Sequence, residues 1–234
     1  MNPLSALLRP FAVAQGERLL GDLADVELPP DAPHGVASPA GGAREQGRFH
    51  LVLLGDATAT GAGAPSAAEG LPGTVGQTVA DGLRREVLWQ VLAEPGSSSL
   101  GLHGRLVQQV SPAADAVVVM VGMHDVLART SPREWREQLG SSLGLLARVP
   151  RVVVAGCPPL GRAPKLSWPL TALLDEDCRA LDRASDQVCA ERGISFVGLR
   201  GLGTAADDWA DDGLHLGLAG QRRLATMLAA AILA

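Results

Sequence analysis

Leu51-Val52-Leu53-Leu54-Gly55-Asp56-Ala57-Thr58-Ala59-Thr60-Gly61 is the stretch on which the reading of this chain turns. Its unbroken apolar run suits a strand covered on both faces, and Gly55-Asp56 then bends the chain through small residues towards a helix. In an open α/β sheet, ligands bind in the crevice beyond the carboxyl ends of the strands, where helix starts offer backbone N–H groups. Residue 57 stands in that crevice. As alanine, it brings no nucleophile.

Strand and helix signals alternate outward from this point. Thr74 to Arg85 reads as a helix with Val75, Val79 and Leu83 inward, and Val87 to Leu92 as the next strand, ending at the turn Ala93-Glu94-Pro95-Gly96. Ser97-Ser98-Ser99 suits the cap of a helix carrying Leu102, Leu106, Val107 and Val110, and Ala116 to Val121 is a second fully apolar strand. Ser131-Pro132-Arg133-Glu134 is a capping box with proline at the first helical position, opening a helix towards Arg148. Val152 to Ala155, a helix from Leu170 to Arg192 stopped by Gly193, a strand from Ile194 to Val197 and a last helix from Leu218 complete the pattern. Five strands alternating with helices predict a three-layer α/β sandwich around a parallel sheet of flavodoxin-like order. Residues 48–234 form this domain. Residues 1–47 read as an N-terminal helix, begun by Asn2-Pro3 and running towards Leu20, then a Pro/Gly/Ala-rich linker draped on the surface.

Composition narrows the function. A net charge of -5 argues against nucleic acid or an anionic membrane as the main partner. No apolar stretch is long enough to span a bilayer, and Arg9 and Pro10 interrupt the run before Ala12-Val13-Ala14, so a secretory signal is not expected. Cys157, Cys178 and Cys189 lack zinc-ligand spacing and read as reduced small hydrophobes of a cytoplasmic protein.

The loops after the strands converge on one rim. They carry Asp56-Ala57, then Gly96, then Gly122-Met123-His124-Asp125, and finally Asp211-Asp212-Gly213-Leu214-His215 before the last helix. A carboxylate three residues ahead of a histidine can hold one ring N–H and leave the other nitrogen as a base. Alone, Asp212-x-x-His215 is a weak signal. In series with Gly55-Asp56-x, Gly96 and Gly122-x-x-Asp125 it resembles the SGNH/GDSL hydrolase family, in its small single-domain actinobacterial type. The loop Pro158-Pro159-Leu160-Gly161-Arg162 and Trp168-Pro169-Leu170 extend the resemblance, as does Gln15-Gly16 in the N-terminal helix.

That resemblance implies a carboxylic ester hydrolase needing no cofactor, with a small ester or acylated molecule as ligand. It implies a serine where this chain has Ala57, and His215 and Asp212 as base and orienting acid. The implied oxyanion hole is the N–H of residue 57, the N–H of Gly96 and an asparagine side chain where this chain has His124. Asp56 and Asp125 brace their loops. Thr58 is the nearest hydroxyl, but one residue along it leaves the turn in another direction. Trp168 is open to two readings, acyl-pocket wall or packing residue.

Three functional readings stand open. In the first, the chain is a natural pseudoenzyme that keeps the acyl pocket for binding or regulation, with a protein partner fitting that role; the paired departures at 57 and 124 favour it. Alternatively, it is an active serine esterase in which the nucleophile has been substituted. Thirdly, His124 and His215 with a nearby carboxylate build a metal site.

Overall fold

The apolar run at 51–54 serves two cores at once. Leu51 and Leu53 join the cluster under one face of the sheet, and Val52 and Leu54 the cluster under the other, as the two-residue period of a strand demands. The computed structural model describes residues 28–44 and 47–234. The expected N-terminal helix lies outside the described residues.

The sheet comprises β1 (His34–Ala37), β2 (Arg48–Gly55), β3 (Glu86–Ala93), β4 (Ala116–Met120), β5 (Arg151–Ala155) and β6 (Ser195–Val197), in the order β1-β3-β2-β4-β5-β6. From β3 to β6 all neighbours are parallel, in the doubly wound order expected. The α/β sandwich is as expected from the sequence.

One strand was not foreseen. β1, within the stretch read as linker, pairs antiparallel with β3, with His34 opposite Gln90 and Ala37 opposite Val87. Four residues flanked by prolines show no period, so nothing local marks them. Packing does: a Cβ on Gly35 would lie 2.3 Å from Trp89 Cζ2, so only glycine lets this backbone lie against the indole.

Helices cover both faces. Leu71–Leu83 and Leu218–Leu233 pack Leu71, Val75, Val79, Leu224 and Leu228 on Leu51, Leu53, Val118 and Val153. Pro132–Leu145 and Leu170–Ala190 pack Trp135, Leu139, Leu143, Leu181 and Val188 on Val52, Leu54, Val117 and Val119. Each buried aliphatic of this kind contributes about 1.5–3 kcal/mol. Ser131 caps its helix as expected, its Oγ accepting the Glu134 N–H at 3.2 Å. The segment after the Ser-rich turn is less regular: Ser99–Gly101 is α-helical, Leu102–Leu106 a π turn and Val107–Gln109 a 3-10 turn. Leu71–Leu83 starts three residues before Thr74, because Gln221 Oε1 accepts the Leu71 N–H at 2.7 Å.

All three cysteines are free and buried. Among the described residues, no helix is long and apolar enough to cross a membrane.

Candidate active site

Register sets the rim. Gly55 at the end of β2 lies opposite Ala93 of β3 and Met120 of β4, so three loops leave the sheet at one level. The backbones are close there: a Cβ on Gly55 would sit 1.8 Å from the Met120 carbonyl oxygen. The Asp56 N–H donates to that same oxygen at 3.0 Å, and the Glu94 N–H to the Gly55 carbonyl at 3.0 Å.

Asp56 then caps the short helix Ala57–Thr60, its Oδ1 accepting the Thr58 N–H at 2.9 Å. Burial pushes the Asp56 carboxyl up to about 6, against the lowering effect of the Thr58 hydrogen bonds and of His215, with Asp125 adding to the rise. The loops after β2 and β4 and the loop before the last helix meet, since Thr58, Met123 and His215 line one cavity. Ala57 is buried at the first turn of the helix. Of the neighbouring hydroxyls, that of Thr60 is engaged, its Oγ1 donating to the Ala57 carbonyl at 2.7 Å.

Asp125 joins the next two loops. It is buried, and accepts the Ser99 N–H at 2.8 Å, the Ser99 Oγ–H at 2.6 Å and the Thr130 Oγ1–H at 3.2 Å. With residues 94–99 tied to residues 122–130, Gly96 and His124 become neighbours. Gly96 adopts φ 74°, and the place its Cβ would take is 3.9 Å from His124 Nδ1.

The fourth loop brings His215. Its Nδ1 lies 2.6 Å from Asp212 Oδ2, while Asp212 Oδ1 accepts the N–H groups of Leu214 at 2.8 Å and His215 at 2.9 Å. Burial raises the Asp212 carboxyl, but the two backbone N–H groups and the His215 ring outweigh it and hold the group below its ordinary value. His215 is buried, and among the described residues its Nε2 has no hydrogen-bond partner. Thr58 and His215 line one small cavity, and the His215 side chain also packs beside Gly63. Asp211 is exposed, a solvated neighbour of the pair.

The arrangement puts a carboxylate-held imidazole and the first turn of the Ala57–Thr60 helix on one cavity, and residue 57 carries no hydroxyl. Residues 53–223 match the GDSL-like lipase/acylhydrolase family. The chain belongs to that family. A GDSL-like esterase of Mycobacterium tuberculosis is 32% identical over 157 residues, which are 63% of this chain and 49% of that protein. The chain thus matches about half the length of this curated relative. Among solved structures, the lipase/acylhydrolase from Enterococcus faecalis shares the fold at a TM-score of 0.63 and 21% identity, over 79% of this chain and 95% of that one. A catalytic mutant of an acetylxylan esterase from Geobacillus stearothermophilus does so at 0.62 and 18%, over 82% and 95%.

Within this GDSL-family site, two residues escaped the sequence reading. Gln221 is buried, and its Nε2 donates to the carbonyls of Ala62 at 3.0 Å and Leu216 at 2.7 Å while Oε1 takes the Leu71 N–H. It joins the Ala57 turn to the His215 loop. Its signal was a polar residue inside the apolar stripe with Leu224, Ala225 and Leu228. Trp209 lines the cavity beside His215, a place for which Trp168 was a candidate. Trp168 is 66% exposed and does not contribute to that wall. The metal reading gains no support: among the described residues, no three His, Cys, Asp or Glu side chains are grouped to hold an ion.

Proposed function

We propose that this GDSL-family protein is a pseudoenzyme of the ester hydrolase type, which keeps a pocket for a small ester or acylated ligand. The observation that carries the reading is the contrast between His215 and Ala57. The imidazole is held by Asp212, with Nε2 buried and without a hydrogen-bond partner among the described residues, while residue 57 has no hydroxyl and that of Thr60 is engaged by the Ala57 carbonyl.

With serine at position 57, the chemistry follows the acyl-transfer pattern. His215 Nε2 takes the serine proton, the oxygen attacks the ester carbonyl, and the N–H groups of residue 57 and Gly96, with His124, stabilise the oxyanion. The alcohol leaves with the proton from His215, and water then attacks the acyl-enzyme by the same route. Without the hydroxyl, turnover falls by roughly a millionfold in comparable triads, whereas ligand binding does not depend on it. The free, buried thiols suit a reducing, cytoplasmic setting.

The alternative, a serine esterase whose nucleophile was substituted, shares the same scaffold and pocket. The replacement Ala57→Ser tests what both have in common. Turnover of p-nitrophenyl acetate should rise by several orders of magnitude over the alanine form. A folded but inert Ala57→Ser protein would show that the site no longer supports ester hydrolysis.

A further inference from the structure

The loop after β5 is laid along one face of the Leu170–Ala190 helix. Thr171, Asp175, Cys178 and Asp182 share that face, at spacings of three and four residues. A Cβ on Gly161 would fall 2.6 Å from Asp175 Cβ and 3.0 Å from the Thr171 carbonyl oxygen. Cys178 Sγ donates to the Pro158 carbonyl at 3.7 Å, and the Cys157 N–H donates to Asp182 Oδ1 at 2.8 Å. This register sets Cys157 over the helix beside Cys178. Both thiols are free and buried, and both residues line one cavity of about 200 Å³. Exposed Arg162, Arg179 and Arg200 line it too, so the cavity reaches solvent. Interaction with Cys178, and then burial, hold the Cys157 thiol well above its ordinary value.

On its other side, Cys157 supports the rim. A Cβ on Gly122 would lie 2.9 Å from Cys157 Sγ. Gly122, at φ 139°, opens the Met123–Ala128 helix that carries His124 and Asp125. One side chain thus lies between Cys178 and the His124 loop.

We propose that Cys157 and Cys178 form a modification site, a dithiol that a low-molecular-weight disulfide converts to a protein disulfide, and that the bond draws Cys157 off Gly122 and resets the His124 loop. The Cys178 thiolate attacks one sulfur of the small disulfide and expels a small thiolate, which takes up the Cys178 proton. The Cys157 thiolate then attacks Cys178 Sγ and expels the second small thiolate, which takes up the Cys157 proton. The protein loses two electrons and two protons, and one small disulfide becomes two small thiols.

Oxidised glutathione tests this on the full chain at alkaline pH, where thiolates are populated. It should remove two hydrogen masses and join the Cys157 and Cys178 peptides, leaving Cys189 open to alkylation after unfolding. The same oxidation in urea is the control. There the shorter loop favours Cys178–Cys189, a pair that the native helix holds about 16 Å apart. Cys189→Ser should cross-link like the unsubstituted chain, and Cys178→Ser not at all. In NMR spectra, the His124 ring resonances, assigned with His124→Gln, should shift on oxidation and return with dithiothreitol.

A native chain that keeps all its thiols alkylatable, or stops at a glutathione adduct, would overturn the pair. Pairings as mixed as those in urea would do the same. A Cys157–Cys178 bond with unmoved His124 resonances would overturn the coupling to the rim and keep the modification site.

Discussion

Asp212 holds His215 twice, at the ring through Oδ2···Nδ1 at 2.6 Å and at the main chain through Oδ1···N at 2.9 Å. One carboxylate therefore sets both the direction of the imidazole and the turn that delivers it. In an Ala57→Ser background, Asp212→Asn should leave the fold intact and lower kcat by about 10⁴-fold, because the amide favours the wrong ring tautomer. Steady-state hydrolysis of p-nitrophenyl acetate checks this, and a loss under tenfold would count against the dyad.

Asp56 sets a pH dependence of stability. Its carboxyl is raised from 3.8 to about 6 by burial in the folded chain. A raised acid binds protons more tightly when folded, so its contribution to stability is lost as pH rises from about 4 to 6 and stays lost above. Two pK units correspond to about 3 kcal/mol as an upper figure. Asparagine also caps helices well. The stability difference between Asp56→Asn and the unsubstituted chain should therefore shift in favour of the variant between pH 4 and pH 7. Urea unfolding at several pH values measures it; a constant difference would refute the assignment.

Gln221 should matter out of proportion to its exposure. Gln221→Leu leaves the Leu71 N–H and the Ala62 and Leu216 carbonyls without this partner. Buried groups stranded in this way cost about 1–3 kcal/mol each before relaxation. Chemical denaturation should show a loss of at least about 2 kcal/mol; a smaller one would mean that the groups find other partners.

Gly55→Ala places a methyl 1.8 Å from the Met120 oxygen at a φ of 157°. The β2–β4 pairing must open at the rim or the chain fail to fold, a loss beyond about 4 kcal/mol. Soluble yield and urea unfolding read the outcome directly, and a native-like variant would contradict this packing.

Much of the fold was legible because its signals are local. The apolar runs at 51–54 and 116–120, the Ser131-Pro132 start and the alternation of strand and helix each depend on neighbours in sequence, which is where side-chain period and capping act. Part of the rim was legible for a related reason: a doubly wound sheet sends every strand's carboxyl end to one rim, so Gly96 and His124 become neighbours, and Thr58, Met123 and His215 line one cavity. Trp168 shows the limit, since a tryptophan near the rim in sequence is 66% exposed in space.

By itself, then, the sequence determined the α/β class, the strand order implied by alternating strands and helices, the Asp212-x-x-His215 spacing and the missing hydroxyl at Ala57. Tertiary structure alone decided the β1 edge, the Gln221 clasp, the Trp209 wall and the raised Asp56 carboxyl. These depend on contacts between distant segments: Gly35 against Trp89, Leu71 against Gln221, Gly203 against Trp209. Burial and close approach are properties of the packed interior, and no local pattern encodes which distant backbone will lie against a given side chain.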